Sequence, residues 1–206
     1  MSEIEKKTVV VVDDEESVRR SLTALLQSVG MDVCAFGGPE EVLKADLERP
    51  GCVVLDIRMP GMSGLEVFDR LRERFPRVPI LFITGHGEVS LAVRAMKAGA
   101  MDFLEKPFSH QELVDRVQEA LELEDRRERD EAGRRSIESR LSTLTGRERN
   151  VLELIIAGMS SKMIAAELGI SIKTVEAHRT STMQKMQAKN AADLVRLAVS
   201  AGMAGE

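Results

Sequence analysis

Tryptophan and tyrosine are absent from this chain of 206 residues, and aromatic side chains make up only 3% of it. Hydrophobic content is nonetheless 43%, ordinary for a globular protein. No segment approaches the run of about 20 apolar residues that a membrane span needs, and the start of the chain has no apolar run of signal-peptide length. Only two cysteines occur, Cys34 and Cys52, both inside apolar strand-like runs. They are expected to be reduced, buried thiols rather than a disulfide framework. His86 and His110 have no Cys or His partners at metal-ligand spacing, which excludes a zinc site. These absences together predict a soluble, cytoplasmic protein with one large domain or two small ones.

The net charge of −5 conceals an asymmetry. Residues 1–120 sum to −6, residues 121–140 to −1, and residues 141–206 to +2. An acidic N-terminal part followed by a mildly basic C-terminal part fits a cation-binding module joined to an anion-binding one.

Short apolar runs alternate with amphipathic stretches as far as about Leu123. Strands are predicted over 8–12, 31–36, 52–56, 79–83 and 100–104, and helices near 16–28, 39–47, 64–74, 88–98 and 109–123. Runs 8–12 (TVVVV) and 52–56 (CVVLD) are apolar throughout, as parallel strands covered on both faces should be. Five strands alternating with five helices predict a doubly wound α/β fold around a five-stranded parallel sheet. In such sheets ligands gather at the carboxyl ends of the strands. Residues 124–140 carry little apolar content beyond Ala132 and Ile137, and Gly133 interrupts the helical pattern. They predict a charged, partly helical linker without the sustained a/d seam of a coiled coil.

The N-terminal module carries an unusual crowd of carboxylates, Asp13, Asp14, Glu15 and Glu16, directly after its first strand. Asp56 ends the third strand, Thr84 follows the fourth and Lys106 follows the fifth. A parallel sheet brings these to one edge. Three carboxylates there would hold a hard divalent cation, while a hydroxyl and an ammonium would serve phosphoryl oxygens. Glu15 and Glu16 suit the first turn of a helix, whose dipole favours negative charge.

The motifs VVDDE, LDIRMPGMSG, ITGH and EKPF, in this order at these strand ends, resemble the receiver domain of bacterial two-component response regulators, a flavodoxin-like fold. The resemblance spans residues 6–123. It implies that Asp56 accepts a phosphoryl group from a sensor histidine kinase. It further implies that Asp13, Asp14, Asp56 and the backbone carbonyl of Arg58 bind Mg²⁺, with Mn²⁺ as a substitute, and that Lys106 and Thr84 contact the phosphoryl oxygens. Pro107 would follow a cis bond, and Phe103 would stand where the family has a Tyr or Phe rotamer switch. Arg58 and His86 would tune hydrolysis of the acyl phosphate. A metal-dependent phosphatase is the rival, but it would want a carboxylate where Arg58 stands.

From Leu141 onward the apolar spacing is helical, with caps at Thr145, Ser160 or Ser161, Ser171 and Asn190, and glycines at 158 and 169. Helices are predicted over 146–157, to about 168, 172–187 and 191–201. The Leu168-Gly169-Ile170-Ser171 turn has helix-turn-helix spacing. The run from LTGRE through Thr-Val-Glu-Ala-His-Arg resembles the LuxR/FixJ-type helix-turn-helix over 141–201. Lys173, Thr174, Glu176, Ala177, Arg179 and Thr180 are candidates to enter the major groove, and Lys162, Lys185 and Lys189 to meet phosphates. His178 is expected to pack or cap. The whole reads as a receiver (1–123), a linker (124–140) and a DNA-binding domain (141–206). It would be a transcriptional regulator of the NarL/FixJ class, not a turnover enzyme. The implied partners are a sensor kinase, promoter DNA and a second copy on phosphorylation, with RNA polymerase a further candidate and no membrane. The rival output is a helix-turn-helix that binds protein.

Overall fold

This computed structural model describes residues 7–85 and 89–203, apart from the side chains of Val89, Ser90 and Ala92. His86 therefore lies outside the described residues. The chain divides into two compact units, Met1–Arg127 and Glu128–Glu206. Elements of the first are β1 (Thr8–Val12), α1 (Glu16–Ser28), β2 (Asp32–Phe36), α2 (Pro39–Lys44), β3 (Pro50–Asp56), α3 (Gly64–Arg74), β4 (Ile80–Thr84), α4 (Val89–Lys97) and β5 (Asp102–Glu105). Helix α5 runs from His110 to Ser142, and α6 (Gly146–Ile156), α7 (Ser161–Leu168), α8 (Ile172–Met186) and α9 (Ala191–Ser200) follow.

The five strands form one parallel sheet in the order β2-β1-β3-β4-β5. Its two faces explain why the strand runs are apolar throughout. Val10, Val12, Val53, Leu55, Ile80 and Phe82 pack on one side against Val42, Val67, Phe68, Leu71 and Ala95 of α2, α3 and α4. Val9, Val11, Val54, Leu81, Ile83 and Leu104 pack on the other against Leu22 and Leu26 of α1 and Leu113 and Val117 of α5. Each such side chain, fully buried, contributes roughly 1.5–3 kcal/mol of transfer free energy. Successive residues alternate faces, so both sides must be aliphatic.

Some expectations shift. Helix α2 ends at Lys44, because Ala45 is extended and its carbonyl accepts from Arg74 at 2.7 Å. Cys34 is exposed, whereas Cys52 is buried as expected. Strand β2 is one edge of the sheet, and Asp32, Cys34 and Ala35 on it are exposed. Burial pushes the Cys52 thiol up to about 12, leaving it unreactive. The linker expected over 124–140 is helical throughout, as part of α5. Gly133 costs that helix about 1 kcal/mol relative to Ala. The Arg134–Glu138 pair one turn apart and the packing of Ile137 and Leu141 in the C-terminal core offset it.

In the second unit each helix begins where a side chain can satisfy a free backbone N–H. Thr145 and Glu148 form a reciprocal capping box on α6. Ser160, Ser171 and Asn190 cap α7, α8 and α9. Gly169 takes the left-handed conformation, φ 65°, that ends α7 and turns the chain into α8. Val151, Leu152, Ile164, Val175, Met186, Leu194 and Ala198 form the core.

Candidate functional site

Strand register delivers the chemistry to one edge. Asp56, the last residue of β3, pairs with Ile83, so Thr84 stands one step beyond it. Thr84 pairs with Glu105, and its carbonyl accepts from Lys106 N at 2.8 Å. Asp13 follows β1, its N–H donating to the Phe36 carbonyl of β2 at 3.3 Å.

Asp13 and Asp56 are almost fully buried, with relative exposures of 1% and 6%. The ammonium of Lys106 joins them, 2.8 Å from Asp56 Oδ1 and 3.1 Å from Asp13 Oδ2. Their remaining oxygens accept backbone N–H groups. Glu15 N donates to Asp13 Oδ1 at 2.9 Å, and Arg58 N to Asp56 Oδ2 at 2.8 Å. Burial lifts the Asp56 carboxyl above its ordinary range; Lys106 and the Arg58 N–H oppose this, while the Asp13 charge reinforces it. For Lys106, burial favours the neutral amine, but the bonds and charges of Asp56 and Asp13 outweigh it and the pKa rises. Lys106 is thus held as a cation between two carboxylates.

The expected trio of carboxylates is a pair here. Among the described residues, no three His, Cys, Asp or Glu side chains stand together closely enough to hold a metal ion. Asp14, one residue past Asp13 and already in the bend that leads into α1, is exposed while Asp13 is buried. The pair still fits Mg²⁺, which takes one or two carboxylates and completes its shell with water and phosphate oxygens. The carboxylates of Asp13 and Asp56 are hard oxygens, the kind of donor Mg²⁺ takes.

Thr84 is buried at 2% exposure, and its hydroxyl donates to the Gly85 carbonyl at 3.0 Å. Phe103 is half-buried against the core on the α3 side of the sheet. The Lys106–Pro107 bond is cis, as expected. Arg58 is exposed. Beside this edge an open cleft of about 740 Å³ is lined by Asp14, Arg58, Met59, Ser63, Leu91 and Arg94, among others.

Two participants escaped sequence reasoning. Arg19 donates to the carbonyls of both Asp13 and Asp14, at 2.7 and 2.8 Å. Its place one turn into α1 was the available signal. Glu148, foreseen only as a helix cap, also binds Ser181 and Lys185, more than thirty residues away.

On α8, Lys173, Thr174, Glu176, Ala177 and Thr180 are exposed, and His178 and Arg179 are half-buried. Val175 and Met186 face the core, and Met183 is partly covered by it. Lys162 and Lys189 are exposed. Lys185, expected at phosphates, is instead committed to Glu148 Oε2 at 2.7 Å and the Thr143 carbonyl at 3.2 Å. A nearly buried carboxylate holds a lysine better than water does when further hydrogen bonds satisfy it.

A buried aspartate paired with a half-buried lysine at the carboxyl edge of this sheet, followed by a helix-turn-helix, has counterparts among known proteins. Residues 9–118 match the response regulator receiver domain, and residues 142–198 match the luxR family of bacterial regulatory proteins. The chain belongs to the two-component response regulators. It is 44% identical over 199 residues to nodulation protein W of Bradyrhizobium diazoefficiens, covering 96% of this chain and 88% of that one. With transcriptional regulatory protein FixJ of the same organism it shares 44% over 202 residues, covering 96% and 97%. The solved structure of response regulator StyR superposes with a TM-score of 0.83 at 46% identity, covering 94% of this chain and 98% of that one. The regulator thus joins a receiver to a LuxR-type DNA-binding domain and acts in transcription, not as a turnover enzyme. A sensor kinase and promoter DNA are the partners this family implies, and receiver domains use Mg²⁺ in phosphorylation. Among the described residues, no helix is long and apolar enough to cross a membrane.

Proposed function

We propose that Asp56 is the phosphoacceptor and that Lys106 and Thr84 bind the oxygens of the incoming phosphoryl group. The supporting observation is the Lys106 ammonium between Asp56 and Asp13, at 2.8 and 3.1 Å. An ionised Asp56 oxygen attacks phosphorus on the donor phosphohistidine. The new O–P bond forms as the N–P bond to the imidazole breaks, and the imidazole nitrogen keeps the electron pair. Lys106 and the Arg58 N–H favour the carboxylate needed for attack, and Lys106 then faces the added negative charge. Mg²⁺ bound by Asp13, Asp56 and the Arg58 carbonyl, with Asp14 at the rim, would neutralise charge on the transferring group.

Phosphorylation then repacks Thr84 and Phe103 beside Pro107, and the change reaches α4, β5 and α5. Val93 and Met96 of α4, 45% and 39% exposed, support pairing of two phosphorylated copies across this face. The exposed face of α8, with Lys173, Thr174, Glu176, Ala177, Arg179 and Thr180, reads bases in the major groove, while Lys162 and Lys189 meet phosphates. RNA polymerase is the further partner of the DNA-bound form, and the regulator works in the cytoplasm beside the kinase's phosphohistidine.

Wild type and Asp56→Asn, exposed to acetyl phosphate and Mg²⁺, test this reading. Intact mass should show one phosphoryl group on wild type and none on the variant. Light scattering should show pairing, and binding to promoter fragments should strengthen, in wild type alone. Equal phosphate uptake by Asp56→Asn would refute the assignment.

A further inference from the structure

We propose that Arg19 is a positioning residue for the cation-binding loop, fixing the backbone that carries Asp13 and Asp14. This rests on the Mg²⁺ reading above. The loop between β1 and α1 places four carboxylates in succession, Asp13 to Glu16, whose mutual repulsion favours opening the turn. Arg19 Nη1 reaches back from the first turn of α1 and donates to the Asp13 carbonyl at 2.7 Å and the Asp14 carbonyl at 2.8 Å. Its own N–H donates to the Glu15 carbonyl at 3.0 Å, so the same residue closes the first helical turn. Together with the bond from Glu15 N to Asp13 Oδ1, at 2.9 Å, and that from Asp13 N to the Phe36 carbonyl, at 3.3 Å, the backbone on both sides of the two aspartates is fixed.

The neighbouring β2–α2 loop makes room for this guanidinium. A Cβ on Gly37 would come within 3.6 Å of Arg19 Cζ and 3.3 Å of Glu41 Oε1, and Glu41 Oε2 accepts the Gly37 N–H at 2.8 Å. Arg19 thus lies in a frame contributed by a second loop and does not swing freely from α1.

Position and charge pull in opposite directions, which makes the sign of the effect decisive. A guanidinium near a divalent cation repels it, so removing the charge alone would tighten metal binding. Removing the clamp lets the two aspartates wander. Loss of an outer partner that orients a metal ligand typically weakens affinity by about tenfold to a hundredfold.

The test is a Mn²⁺ titration of the full-length chain, with free Mn²⁺ followed by electron paramagnetic resonance, on wild type, Arg19→Ala and Arg19→Lys. Arg19→Ala should bind about tenfold more weakly than wild type. Arg19→Lys keeps the charge but has a shorter reach and no planar fork, and should also bind more weakly, by a smaller factor. Metal-free melting of each variant identifies any that fail to fold; should Arg19→Ala be one, Arg19→Lys decides. Affinity equal to or tighter than wild type in a folded variant overturns the inference. If wild type itself takes up no Mn²⁺, the metal reading falls first and this inference with it.

Discussion

Removing the carboxylate of Glu148 should loosen the DNA-binding unit from within. Glu148 is 5% exposed, yet four groups satisfy it. Its Oε2 accepts Thr145 N at 2.7 Å, Thr145 Oγ1 at 2.9 Å and Lys185 Nζ at 2.7 Å, and its Oε1 accepts Ser181 Oγ at 2.6 Å. One side chain therefore ties the start of α6 to the C-terminal half of α8, the helix proposed to read DNA. Lys185 foremost, then Ser181 and the Thr145 N–H, hold the Glu148 carboxyl down at about 2, against an ordinary 4.5. That gap corresponds to about 3 kcal/mol of stability at neutral pH. Because the folded value is the depressed one, this contribution is complete above pH 4.5 and fades as pH falls towards 2. Lys185 is one-third exposed and can return to water when unpaired, which keeps Glu148→Ala near 3 kcal/mol rather than the upper end seen for buried pairs. Glu148→Gln retains the volume and the Thr145 bonds on its one amide oxygen, keeps Ser181 only with the amide NH2 as donor, and loses the charge, for about 1–2 kcal/mol.

With no Trp or Tyr to report unfolding, and two units that need not unfold together, amide hydrogen exchange is the suitable assay. Peptides from α6 and α8 of Glu148→Ala should exchange about a hundredfold faster at neutral pH, while those from β1 and β3 stay unchanged. Protection of α8 within a factor of two of wild type would refute the clamp.

The sheet was legible because its signal is local. Unbroken β-branched runs at 8–12 and 52–56 require cover on both faces, and the helices over 16–28 and 64–74 were foreseen with the bounds observed. The convergence of Asp13, Asp56 and Lys106 followed from parallel topology alone. Topology does not say which way a side chain points. Asp14 therefore joins the expected trio although it is exposed at the cleft beside the other two, and Cys34 is expected inside although its strand is one edge of the sheet. Lys185 shows a second blind spot, since in sequence it is one more basic residue on a polar helix. Its partner Glu148 lies 37 residues earlier and already had a sufficient local role as a cap. Arg19 donates to the Asp13 and Asp14 carbonyls, which any residue supplies, so its place one turn into α1 is the one hint the sequence holds. Gly133 suggests a break because its propensity cost is local, whereas what overrides it is the packing of Ile137 and Leu141 further along.

Two substitutions test packing claims of opposite sign. Thr182 is fully buried in α8 with a hydroxyl that has no hydrogen-bond partner among the described residues, so Thr182→Val, equal in shape, should slow exchange in α8 or leave it unchanged. Faster exchange would show that the hydroxyl has a partner. Gly64→Ala should do the reverse in the receiver. A Cβ at Gly64 would lie 2.2 Å from the Asp56 carbonyl oxygen and 2.8 Å from Ile57 Cα, both backbone atoms that no rotamer change can move aside. Since Gly64 N also donates to the Ile57 carbonyl at 2.8 Å, the start of α3 can retreat only by giving up that bond. Overpacking of this kind costs about 1–3 kcal/mol, and here the strain falls on the residue proposed to take the phosphoryl group. Melting should therefore drop and acetyl phosphate uptake slow together; an alanine variant that melts and labels like wild type would mean that the β3–α3 junction is looser than this contact requires.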